Sequence, residues 1–176
     1  MRYKVPTISF QLYTQRLVHR EKILVIDDEE ETRNILKDFF LLKGYEVETA
    51  ADGEGALRKV GASPFDCIIS DLVMPGMDGI ELLKRIKTDD SKVMFLLITG
   101  YPSIESAVDA VKLGAYDYVS KPLRFEDLQI KVERALYTRS LEASVAKTGD
   151  MVRKLMVAVP ILMLCAIIFA LIFRKI

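Results

Sequence analysis

The chain has 176 residues, with 25 basic and 25 acidic side chains and 51 % apolar residues. That length allows one domain of ordinary size with appendages, and the balanced charge excludes nucleic acid as a bulk electrostatic partner. The two cysteines, Cys67 in an apolar run and Cys165 in the terminal apolar stretch, read as small buried hydrophobes of a reducing compartment rather than as a disulfide.

Four segments follow one another: 1–21, 22–139, 140–154 and 155–176. The first mixes polar and apolar residues without a strong period. Residues 1–20 carry Arg2, Lys4, Arg16 and Arg20 with no acid among them, and Ile8, Phe10 and Leu12 alternate. There is no apolar core of signal-peptide length. The segment allows three readings: a disordered arm, contact with an anionic membrane surface, or a misassigned start codon.

The second segment reads as a strand followed by a helix, five times over. Ile23-Leu24-Val25-Ile26 is a β-branched run that stops at Asp27-Asp28. A helix should follow with Ile35, Leu36, Phe39 and Phe40 on one face, and Gly44 is placed to end it. Glu46-Val47-Glu48-Thr49 alternates as a half-exposed strand does. A short helix near 54–60 precedes the apolar run that leads to Asp71. A helix from about Gly79 to Lys87 then shows Ile80, Leu83 and Ile86 on one side. The unbroken apolar strand 93–98 ends at Thr99-Gly100, and a helix over 104–113 ends at Gly114. The fifth strand, 116–119, ends at Ser120-Lys121-Pro122. The last helix starts near Phe125 with Leu128, Val132, Ala135 and Leu136 inward. Such alternation specifies an α/β fold, a parallel sheet with helices on both faces. Ligands of such sheets bind at the carboxyl ends of the strands.

The polar residues fall at those ends: Asp27 and Asp28 after the first strand, Asp71 after the third, Thr99 after the fourth and Lys121 after the fifth. Each alone has an ordinary alternative, such as a helix N-terminus, a turn or a solvated loop. Their coincidence at the ends of four strands within one unit argues for one site. Three clustered carboxylates repel one another and call for a hard divalent cation, and Mg²⁺ suits few carboxylates, several waters and a phosphate. Asp71 can then act as a nucleophile that becomes an acyl phosphate. Lys121 can reach a phosphoryl oxygen, and the Thr99 hydroxyl can serve another.

The residues Ile23-Leu24-Val25-Ile26-Asp27-Asp28-Glu29, Asp71-Leu72-Val73-Met74-Pro75-Gly76-Met77-Asp78-Gly79, Ile98-Thr99-Gly100-Tyr101 and Gly114-Ala115-Tyr116-Asp117-Tyr118-Val119-Ser120-Lys121-Pro122 together resemble the receiver domain of bacterial response regulators. The resemblance covers Lys22 to about Arg139, and the stretch 99–128 is most similar to receivers attached to enhancer-binding transcription activators. It implies a five-stranded doubly wound sheet of the flavodoxin-like type, strand order 2-1-3-4-5. It implies Asp71 as phosphoacceptor. Asp28 and Asp71 would bind Mg²⁺ directly, with Asp27 acting through water and the Val73 carbonyl as a further ligand. Lys121 would meet the phosphoryl group, and Thr99 and Tyr118 would be a switch pair that reshapes the face of the fourth helix, fifth strand and fifth helix. That face could also join two copies. The Lys121-Pro122 bond would be cis. The partner implied is a sensor histidine kinase or phosphotransfer protein. Val73 and Tyr101 would flank the phosphoryl site, where their bulk is expected to screen attacking water.

Residues 155–173 carry no charge over 19 positions, about 28 Å as a helix at 1.5 Å per residue, close to the ~30 Å hydrocarbon core. Arg153-Lys154 and Arg174-Lys175 bracket the stretch, and Pro160 falls inside it. The reading is a single transmembrane helix at the bacterial cytoplasmic membrane, inserted late in the manner of a tail anchor, with the receiver in the cytoplasm. Residues 140–154 would be a linker, broken at Thr148-Gly149-Asp150. The function expected is a membrane-tethered phosphoacceptor rather than an enzyme, binding a membrane-proximal partner or competing for phosphoryl groups. No output-domain motif is visible. The alternative is a constitutive membrane scaffold in which phosphorylation is incidental. A haloacid-dehalogenase-like phosphatase is set aside because a second acid would be needed where Val73 stands.

Overall fold

The computed structural model describes residues 21–173, with side chains described as far as residue 160 apart from residues 147 and 150. The expectations for residues 1–20 lie outside them. Among the described residues five strands and five helices alternate: β1 Lys22–Ile26, α1 Glu30–Leu42, β2 Glu46–Ala50, α2 Gly53–Ala62, β3 Cys67–Asp71, α3 Gly79–Asp89, β4 Met94–Thr99, α4 Ile104–Lys112, β5 Asp117–Ser120 and α5 Phe125–Phe173. The strands form one parallel sheet, as the sequence pattern predicts, in the order β2-β1-β3-β4-β5 that the resemblance implies.

The pleat explains the composition of the strands. Alternate residues point to opposite faces. Ile23 and Val25 of β1, Cys67 and Ile69 of β3, and Leu96 and Ile98 of β4 pack with Leu36 and Phe40 of α1 and with Leu128, Val132 and Ala135 of α5. Leu24, Ile26, Ile68, Phe95 and Leu97 pack on the other side with Ala56 of α2, Leu82, Leu83 and Ile86 of α3, and Ala110 of α4. Both faces are covered, so the central strands read as nearly unbroken apolar runs. Edge strand β2 does alternate. Its Glu46 and Glu48 meet Lys22 at 3.3 and 2.7 Å, and Glu48 also meets Lys59 at 2.7 Å, a charged fringe that discourages pairing with another chain.

Helix boundaries follow local chemistry. Asp78 accepts a hydrogen bond from the Glu81 amide at 2.8 Å and Ser103 one from the Ser106 amide at 3.1 Å, capping α3 and α4. Gly44, with φ 92°, lets the chain leave α1 in the left-handed region that glycine enters most readily. Two details depart from the periodicity. Ile35 is 46 % exposed, because α1 buries only the Leu36–Phe40 ridge. Leu82, absent from the expected face of α3, is fully buried beside Leu83.

The chain divides into a compact unit ending at Arg139 and a second from Ser140. Helix α5 does not break at Thr148-Gly149; helix is assigned from Phe125 to Phe173. A glycine in a helix costs only about 1 kcal/mol relative to alanine, and the Thr148 hydroxyl donates back to the Ser144 carbonyl at 3.0 Å. Among the described residues no helix is long and apolar enough to cross a membrane. The stretch that carried the expectation of a span, 155–173, falls mostly on residues 161–173, whose side chains lie outside those described.

Candidate functional site

The carboxyl ends of β1, β3, β4 and β5 converge. Backbone hydrogen bonds set this edge: the Leu72 amide donates to the Ile98 carbonyl and the Lys121 amide to the Thr99 carbonyl, both at 2.7 Å. Around it stand the buried polar residues Asp27, Ser70, Asp71 and Thr99. Carboxylate oxygens of Asp27, Asp28 and Asp71 lie within 4.8 Å of one another, with Asp28 alone exposed. The Lys121 ammonium donates to Asp71 at 2.6 Å and to Asp27 at 3.1 Å. The Lys121-Pro122 peptide bond is cis.

The charges do not balance. One ammonium faces three carboxylates. Burial pushes the Asp27 carboxyl above the ordinary carboxylate range, although hydrogen bonds from the Glu29 amide and Lys121 oppose it. Burial also works against the Lys121 ammonium, but the bonds to Asp71 and Asp27 outweigh it and hold its pKa above the usual lysine value. The ammonium is thus favoured while Asp27 still carries excess negative surroundings. A hard, oxygen-only donor set with surplus negative charge and one side open to solvent fits a divalent cation.

The remaining expected residues surround this centre. The Val73 amide donates to Asp71 at 3.3 Å, and the Val73 side chain is half exposed. The Thr99 hydroxyl oxygen accepts from the Tyr101 amide at 3.0 Å, and the Tyr101 ring is exposed. Tyr118 is half-buried, and its hydroxyl lies 2.7 Å from the Ser106 hydroxyl on α4. All the residues anticipated from sequence stand at this edge except Tyr118, which lies in β5 and engages α4.

Three supporting residues escape sequence reasoning. Arg33 of α1 donates to the Asp27 carbonyl at 2.6 Å, which ties down the acidic turn. Ser106 holds Tyr118. Gly79 lets α3 start against β3: a Cβ there would come within 2.5 Å of the Asp71 carbonyl oxygen and 2.7 Å of Leu97. Only Gly79 had a visible signal, the turn-rich run Pro75-Gly76-Met77-Asp78-Gly79. A cavity of about 750 Å³ lies elsewhere, lined by Leu57, Val60, Phe65, Ile86 and Val93 near the starts of β3 and β4, and it shares no residue with the acidic cluster.

Fold and site together define a doubly wound α/β domain of the signal-receiver class. Residues 23–133 match the family described as the response regulator receiver domain. The chain is 43 % identical over 127 residues to the transcriptional regulatory protein ZraR of Klebsiella oxytoca, covering 72 % of this chain and 29 % of that protein. It is 36 % identical over 124 residues to the regulatory protein AtoC of Escherichia coli, covering 70 % and 27 %. Among solved structures it is similar to a CheY-like receiver domain protein from Methanospirillum hungatei (TM-score 0.69, 31 % identity, 70 % of this chain and 99 % of that one). The chain belongs to the response regulator receiver domain family. It spans less than a third of the length of these two curated relatives.

Proposed function

We propose that Asp71 is the phosphoacceptor of a two-component pathway, taking a phosphoryl group from a sensor histidine kinase or a phosphotransfer protein. In that step an Asp71 carboxylate oxygen forms the new O–P bond as the donor's P–N bond breaks. Asp28 and Asp71, the Val73 carbonyl, and Asp27 through water would hold Mg²⁺, which when bound supplies neutralising charge for the phosphoryl oxygens. Lys121, already within hydrogen-bond reach of Asp71, takes a phosphoryl oxygen. Thr99 turns its hydroxyl from the Tyr101 amide toward the phosphoryl group, and Tyr118 exchanges its Ser106 bond for a more inward position. The output is then phosphorylation-dependent binding at the face of α4, β5 and α5, or competition for phosphoryl groups. The 19 uncharged residues 155–173 support a tether at the cytoplasmic membrane, with the receiver on the cytoplasmic side.

One observation carries the reading: a lysine bridging two buried aspartates of a three-carboxylate cluster, beside a buried threonine. Incubation with a small-molecule acyl phosphate and Mg²⁺ is expected to add one phosphoryl group, and the adduct is expected to be lost without Mg²⁺ and in Asp71→Asn. A folded protein that remains unmodified would overturn the proposal.

A further inference from the structure

The cavity between α2 and α3 takes no part in phosphoryl chemistry, since it opens at the amino-terminal edge of the sheet, away from the acidic cluster. Buried Phe65, Ile68, Ile86 and Val93 and partly buried Leu57 and Val60 give it an apolar lining. Its volume of about 750 Å³ is that of a pocket built to hold a ligand, roughly 300–1,000 Å³. A Cβ added at Gly61 on its rim meets nothing within 4 Å, so the mouth is open. The mouth is also negative. Helix α2 ends there at Ala62 and α3 at Asp89, and each presents its partially negative carboxyl-terminal end. The charged lining residues are Arg85, Asp89 and Asp90. Arg85 is engaged by Glu81 at 2.6 Å and Glu54 at 3.7 Å, which leaves the two aspartates to face a cationic occupant.

The chain supplies such an occupant beside the mouth. Strand β1 is rooted against the cavity wall: Lys22 and Asp66 exchange two hydrogen bonds, both at 2.8 Å, from the Lys22 amide to the Asp66 carboxylate and from the Asp66 amide to the Lys22 carbonyl. The Lys22 ammonium donates to the Ser63 hydroxyl at 3.2 Å and lies 4.9 Å from the centre of the Phe65 ring. Both Ser63 and Phe65 line the cavity. Residues 1–20 therefore join the receiver at this rim. They carry Arg2, Lys4, Arg16 and Arg20 and no acid, and Ile8, Phe10 and Leu12 alternate, which puts three large apolar side chains on one side of an extended segment. Residues 13–21 can span up to about 30 Å, so Leu12 can reach across the mouth. A tether this short holds the segment at an effective concentration on the order of millimolar, which favours it over any free competitor.

We propose that residues 8–12 dock in the cavity of their own chain. Ile8, Phe10 and Leu12 enter between α2 and α3, and Arg16 and Arg20 lie at the Asp89–Asp90 side of the mouth. The segment closes the receiver at the edge opposite the phosphoryl site and leaves that site open.

Cysteine cross-linking of the full chain tests this. Cys165→Ser removes the second thiol, and Cys67 is buried. Leu12→Cys is combined either with Ala62→Cys at the mouth or with Leu42→Cys at the end of α1. Both partner positions are exposed, so the fold tolerates them. Both also stand near the root of the segment: Ala62 precedes Asp66 by four residues, and Leu42 so precedes Glu46, whose amide donates to the Glu21 carbonyl at 3.1 Å. Leu42, however, belongs to the helix on the other face of the sheet. Under mild oxidation the intrachain disulfide is expected to form about fivefold faster with Ala62→Cys than with Leu42→Cys, where tethering alone gives equal rates. Adding Ile8→Ser and Phe10→Ser, or Asp89→Lys, is expected to remove that preference. Equal rates in the starting pair, no disulfide, a disulfide that joins two chains, or a preference that survives either set of substitutions would each overturn the proposal.

Discussion

Replacing Lys121 with methionine tests the electrostatics of the site. Among the described residues Lys121 is the only cation hydrogen-bonded to the Asp71 and Asp27 carboxylates, at 2.6 and 3.1 Å, and both carboxylates are more than nine-tenths buried while the lysine is a quarter exposed. Methionine keeps the unbranched stem, one atom shorter, and removes the charge. Leaving a buried charge without its partner costs about 3–5 kcal/mol when the pair is fully enclosed. Partial exposure of the ammonium lowers that to about 2–3 kcal/mol. For a domain of this size the loss corresponds to a fall in Tm of roughly 8–12 °C. Divalent cations should offset it, since ligand at ~100 times its Kd stabilises the folded state by about 2.7 kcal/mol. Thermal melts of both proteins in EDTA and across a Mg²⁺ titration measure these quantities. The variant is expected to melt well below the parent in EDTA and to recover much of the gap in Mg²⁺. Equal melting in EDTA, or a deficit that Mg²⁺ leaves untouched, would refute the reasoning that surplus negative charge is stored at this edge.

Three further predictions follow from particular contacts. Gly79→Ala should destabilise the receiver by about 1–3 kcal/mol in urea unfolding, because its Cβ collides with the backbone at Asp71 as well as with the buried Leu97 side chain. An unchanged midpoint would show that α3 can draw back. Burial pushes the Cys67 thiol up to about 12, so Cys67 should resist alkylation at pH 8 in the native protein and react fully in urea, as read from the mass of its peptide. Because the folded value is the raised one, this thiol's contribution to stability is complete below the unfolded value near 8.5 and declines as pH rises toward 12; Cys67→Ala should flatten that alkaline decline. Val73 and Tyr101 are exposed beside the site, and replacing both with serine should shorten the phosphoryl lifetime, measured as loss of the adduct with time. A lifetime that does not change would remove their screening role.

Much of the fold was legible because burial on both faces of the sheet leaves a direct trace in composition. Ile23–Ile26, 67–70 and 93–98 could be little else than central strands, and their ends pointed to Asp27, Asp71 and Thr99. Glycines 44 and 114 marked helix ends for a stereochemical reason. What escaped depends on how neighbouring elements are oriented against one another. The hydrogen bond from Arg33 to the Asp27 carbonyl requires the first turn of α1 to fold back over β1. The Tyr118–Ser106 bond requires α4 to lie against β5. Neither arrangement leaves a periodic signal. The exposure of Ile35 and the burial of Leu82 reflect how each helix is rotated against the sheet, which a four-residue ridge fixes only to within one neighbour. Thr148-Gly149 resembled a break because glycine weakens helices, yet one glycine costs too little to end one.

The most direct test of the account is to find which residue carries the phosphoryl group. After reaction with an acyl phosphate and Mg²⁺, borohydride reduction converts a phosphorylated aspartate to homoserine, and peptide mass spectrometry locates the change. The account predicts homoserine at position 71, with Asp27, Asp28 and every other aspartate unaltered. Homoserine at another position, or none in a folded and Mg²⁺-loaded protein, would contradict the assignment of Asp71 as the phosphoacceptor.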